Sequence, residues 1–161
     1  MNGETPAQPA EMVIDLPLAA HLPDGYVADA TGRLEAYRRL GAVTELVEVA
    51  DIEAEWIDRY GPVPDAAQTL LHIALLRTEC HRLGMRTVAF APGHDGGRVR
   101  FGPLELTASE ELRMRRICAG TPFSAARYKA DDREVQLSVR ALKPATVGHL
   151  FAFCQQLRPP A

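Results

Sequence analysis

Glu55-Trp56-Ile57-Asp58-Arg59-Tyr60-Gly61-Pro62-Val63-Pro64 contains the end of one helix, a stop and the start of another. Residues three and four apart share a helix surface, so Glu55, Asp58 and Arg59 project side by side. Gly61 is free to take the left-handed conformation that closes a helix, and Pro64 suits the first turn of the next. The stretch predicts a helical hairpin with a compact charged patch at its corner.

Upstream, Leu46, Val49, Ile52, Trp56 and Tyr60 recur at helical spacing and predict a helix over 45–60 with one buried stripe. Glu48, Asp51, Glu55 and Asp58 line the opposite side, with no lysine or arginine before Arg59. Like charges at these spacings each cost a helix roughly a few tenths of a kcal/mol, so this face gains no stability from its charge. Two readings stand: a solvated acidic face, or a surface complementary to basic groups on a partner. Arg59, four residues after Glu55, is placed to hold that carboxylate.

Downstream, Ala66, Ala67, Leu70, Leu71, Ile73, Ala74, Leu75, Leu76 and Cys80 occupy most of the circumference of a helix over 64–83, the expected centre of the core. An earlier helix, capped by Asp29 or Thr31, runs to Leu40 with Leu34, Tyr37 and Leu40 inward. Residues 12–18 alternate like a short strand that ends near Pro17. Beyond Gly84 the pattern turns to strands over 86–91 and 98–101, joined by Gly93-His94-Asp95-Gly96-Gly97. Leu104-Glu105-Leu106 is expected as a third short strand, and Ser109 as the cap of a helix to Cys118. Two alternating runs, 124–129 and 134–140, precede a closing helix over 146–157.

Helices come first as a block, and strands with further helices follow. That order predicts an α+β fold: an N-terminal helical block packed on a mainly antiparallel sheet with additional helices, not a doubly wound one. Residues 1–11 read as a disordered linker, 12–158 as a single domain and 159–161 as a tail.

Composition narrows the function. A formal net charge of -3 over 161 residues argues against wholesale nucleic-acid binding. No apolar run approaches the roughly 18 residues of a membrane span. Cys80, Cys118 and Cys154 are expected as reduced thiols of a cytoplasmic protein. The Gly93–Gly97 turn lacks the lysine of a phosphate loop. His72, Cys80 and His81 fit no common zinc spacing. No local nucleophile signature occurs, so neither enzyme activity nor a cofactor is expected. Arg113, Arg115 and Arg116 form a small basic cluster, and they carry the rival reading of a phosphate-contacting module.

Four ordered strings then resemble a known family: Ile14-Asp15-Leu16-Pro17, His21-Leu22-Pro23 with Tyr26-Val27, Arg33-Leu34-Glu35-Ala36-Tyr37-Arg38-Arg39-Leu40, and Asp58-Arg59-Tyr60-Gly61-Pro62-Val63-Pro64. Together they resemble the C-terminal domain of the bacterial transcription-repair coupling factor, a DNA translocase, closely over 12–83 and in layout over 84–157. The resemblance implies a regulatory domain without an ATPase of its own. It implies docking on an N-terminal domain of the same protein, which masks the surface that binds the damage-recognition ATPase UvrA. Contact with RNA polymerase and DNA is implied only through the full-length protein; an accessory module touching DNA or RNA polymerase directly is the alternative. The implied contact residues are Glu55, Asp58 and Arg59. Trp56 and Tyr60 depart from the family's usual leucine and phenylalanine, which implies altered packing under an unaltered patch.

Overall fold

A computed structural model describes residues 12–160. The linker expected over 1–11 and the last residue of the expected tail lie outside that range. The elements are β1 (Val13–Asp15), α1 (Ala30–Gly41), α2 (Leu46–Tyr60), α3 (Asp65–Arg82), β2 (Thr87–Gly93), β3 (Gly96–Gly102), α4 (Ala108–Cys118), β4 (Phe123–Lys129), β5 (Glu134–Val139) and α5 (Pro144–Leu157). One five-stranded sheet has the order β1-β2-β3-β5-β4. β1 runs parallel to β2, with Ile14 opposite Val88, and every other pairing is antiparallel. The architecture is α+β with a mainly antiparallel sheet.

Two buried clusters hold it together. In the first, Val88, Val99, Phe101, Val135, Leu137 and Val139 face Met114, Val147, Leu150 and Phe153 of α4 and α5. In the second, Val49, Ile52 and Trp56 of α2 pack with Leu22, Val27 and Leu40. α3 enters both, through Ala67, Leu71 and Ala74 on one side and Leu76 and Cys80 on the other. None of its residues from Ala66 to Cys80 is exposed, which is why its apolar positions run around the helix.

Three expectations change. Leu104-Glu105-Leu106 is not a strand. Tyr128 holds it instead, the hydroxyl donating to the Leu104 carbonyl at 2.8 Å and accepting from the Leu106 amide at 3.3 Å. The cap of α4 is Thr107, not Ser109: its hydroxyl accepts from the Glu110 amide, and Glu110 accepts from the Thr107 amide. On α1 only Leu40 is buried, while Leu34 stays 52% exposed. That helix sits at the rim and is tied by polar contacts: Asp29 caps it, Arg33 donates to the Val27 carbonyl, and the Tyr37 hydroxyl accepts from the Leu22 amide.

Candidate docking site at the end of helix α2

The helix-end patch rests on Trp56, which is 4% exposed and roots this turn of α2 in the second cluster. Glu55, just before it, and Asp58 and Arg59, two and three residues after it, carry their charges outward. Gly61 closes the helix at φ 89 and ψ -165, which is not the left-handed helical conformation but a more extended one that only glycine adopts without strain. Tyr26 locks this turn from outside, its hydroxyl donating to the Gly61 carbonyl at 2.8 Å and its ring meeting Tyr60 edge-on at 5.6 Å.

The three expected residues then differ in what they do. Glu55 is clamped. Arg59 reaches it at 3.3 Å within α2, and Arg39 reaches its other oxygen from α1. The Arg39 guanidinium, with Arg59 second, holds the Glu55 carboxyl below the usual carboxylate range. Arg59 also lies over the Tyr60 ring, 5.4 Å from its centre. Asp58 is exposed and has no hydrogen-bond or ion-pair partner among the described residues. The structure brings Glu55 and Arg59 together with Arg39 and leaves Asp58 free beside them. A cleft of about 150 Å³ between α1 and α2 is lined by Gly32, Glu35, Arg39, Glu55, Arg59 and Tyr60.

Arg39 is the residue that sequence reasoning missed. It lies 16 positions before Glu55, and helical spacing cannot link residues on two different helices. The acidic face also changes meaning. Glu48 accepts from the amides of Thr44 and Glu45 and from the Thr44 hydroxyl, so it stabilises the start of α2. The Thr44 amide, foremost among these contacts, lowers its pKa. Four carboxylates in a row thus divide into a cap, a clamped anion and two, Asp51 and Asp58, with no side-chain partner among the described residues.

The other candidates resolve separately. Arg113 donates to the Leu157 carbonyl at 3.0 Å and helps finish α5, so the basic cluster of α4 is reduced to Arg115 and Arg116. Glu110 faces away from that cluster and grips Arg158 at 2.5 Å. His72 meets Gln68 at 3.3 Å, and the three cysteines are buried and unpaired. Among the described residues no group of His, Cys, Asp or Glu is arranged to hold a metal ion, and no helix is long and apolar enough to cross a membrane.

The TRCF domain family matches residues 16–114, a span that includes the whole patch. The chain belongs to the TRCF domain family. It is 38% identical over 135 residues to the transcription-repair-coupling factor of Mycobacterium tuberculosis, covering 84% of this chain and 10% of that protein. The Escherichia coli protein of the same name is 36% identical over 88 residues, covering 55% of this chain and 8% of its own length. The chain therefore spans about a tenth of the length of these relatives. A solved structure of the C-terminal domain of a transcription-repair coupling factor superposes with a TM-score of 0.76 at 20% identity, covering 92% of each chain. That likeness establishes the fold of a TRCF domain for all five helices and the sheet.

Proposed function

We propose that this TRCF domain is a non-catalytic, autoinhibitory docking domain of a transcription-repair coupling factor. It binds an N-terminal domain of the same full-length protein through Glu55, Asp58 and Arg59, and so masks the surface that UvrA needs. The observation that carries this reading is the clamp at the end of α2. Arg39 and Arg59 pin Glu55, while the free Asp58 stands beside them on a turn fixed by Trp56, Gly61 and Tyr26.

The physical reasoning is one of preorganisation. Rotamer-rich side chains lose freedom on docking, at roughly 0.5–1.5 kcal/mol each. Charges already held in one arrangement avoid much of that cost and fix the register of the partner. A contact of this size is weak between free molecules. Tethering in one polypeptide raises the effective concentration to about the millimolar range, which makes a weak contact effective yet reversible. Release follows when another partner binds the open form better.

The test is calorimetric titration of this chain into the separately produced N-terminal domain. Glu55→Lys, Asp58→Lys and Arg59→Glu together are expected to weaken the interaction at least about tenfold, while the circular dichroism spectrum stays unaltered. Equal affinity of the reversed and parent chains would remove the patch from the interface.

A further inference from the structure

The helices cover one face of the sheet, and no described element covers the other. Because side chains alternate along a strand, Val99, Phe101, Val135 and Leu137 point inward while their neighbours point out. The register sets Arg98 between Ala91 and Ser138, and places Arg100, Gln136 and Arg127 side by side in the adjoining row. With Lys129 in the third row, four cations share this face with two carboxylates, Glu134 and, on the edge strand in the row of Arg100, Asp15. Asp95 and Asp132 stand at its rim.

Two of the cations are already paired, Arg100 with Glu134 at 3.2 Å and Lys129 with Asp132 at 2.9 Å. Arg98 and Arg127 are exposed and have no carboxylate partner among the described residues. A recess of about 370 Å³ opens beside Arg98 and Arg100, floored by small residues such as Ala91 and Ser138. Two residues along a strand span roughly 7 Å, and two strands across span roughly 10 Å. The guanidinium groups can therefore reach separate anions of one extended polyanion.

We propose that this open face, centred on Arg98, Arg100 and Arg127, docks on the phosphate backbone of duplex nucleic acid. A protein partner would want an apolar, often aromatic centre to its interface. Here Phe90, Phe101, Phe123 and Tyr128 all turn toward the core, and among the described residues the one large exposed hydrophobic on this face, Val13, lies at the far edge strand. The same lack of aromatics removes any platform for stacking unpaired bases. What remains is recognition of phosphate, independent of sequence. α1 and α2 pack on α3 and not on the sheet, so this face and the Glu55 patch lie on different sides of the molecule.

The test is fluorescence anisotropy of a labelled DNA duplex of about two helical turns, titrated with this chain at about 50 mM salt. A dissociation constant on the order of 10⁻⁴ M or tighter is expected, weakening roughly 40-fold by about 200 mM salt for about three phosphates neutralised. Arg98→Glu with Arg127→Glu is expected to lower affinity at least about tenfold, and Arg98→Ala with Arg127→Ala to lower it less. Arg115→Glu with Arg116→Glu is expected to leave the affinity within about twofold. Absence of binding at low salt, indifference to the Arg98 and Arg127 substitutions in folded protein, or displacement by poly-glutamate as effective as by unlabelled duplex would each overturn the proposal.

Discussion

Arg39 determines what the end of α2 presents. Removing it frees one oxygen of Glu55 and restores the repulsion that a bare acidic face would suffer. The pair is exposed to solvent, so Arg39→Ala is expected to leave folding stability nearly unaltered. Its effect on docking to the N-terminal domain is expected to be larger, about fivefold, because the clamped geometry is lost. Paired denaturation and calorimetry separate the two effects. Glu110 offers a pH-dependent check. The Arg158 guanidinium, helped by the Thr107 amide, lowers its carboxyl from the ordinary 4.5 to about 2. A depressed folded-state pKa gives stability that is complete above the unfolded value and lost as pH falls through the folded one. Glu110→Gln is therefore expected to shrink the denaturation midpoint near neutral pH, and the gap from the parent chain is expected to close between about pH 4.5 and pH 2. A gap that persists unaltered at pH 2 would assign Glu110 a role other than charge.

At the scale of elements, the helices and all five strands were legible because their signals are local, and the one strand expected in excess was Leu104-Glu105-Leu106. Trp56, Ile52 and Val49 recur at helical spacing on α2, and β3 and β5 alternate strictly around Val99 and Leu137. The patch residues Glu55, Asp58 and Arg59 were equally legible as neighbours on one helix. What escaped depends on contacts distant in sequence. Arg39 pairs across two helices, and the Leu104–Leu106 segment is fixed by Tyr128 more than 20 positions away. The displaced cap of α4 had a local signal, Thr107 followed three residues later by Glu110, and that pattern outranks Ser109. Thr107→Ala is accordingly expected to cost about 1 kcal/mol, and Ser109→Ala much less, in thermal denaturation. Trp56→Ala empties the centre of the second cluster and is expected to cost about 3–5 kcal/mol.

For the whole molecule, α3 is the shared wall between a helical cluster and a sheet cluster. Loss at either cluster is therefore felt by both, and Trp56→Ala is expected to melt as one transition and not two. Gly96 shows the same economy at the hairpin tip. It sits at φ 101, and a side chain there would meet the carbonyl oxygens of Val139 and Arg140. This arrangement sets the helix-end patch on one side and the bare sheet face on another. The direct measurement is UvrA binding by the full-length protein, with and without the reversal of Glu55, Asp58 and Arg59. Reversal is expected to unmask the site and strengthen UvrA binding at least about tenfold. UvrA binding as weak as that of the parent protein, with the reversed domain still folded, would contradict it.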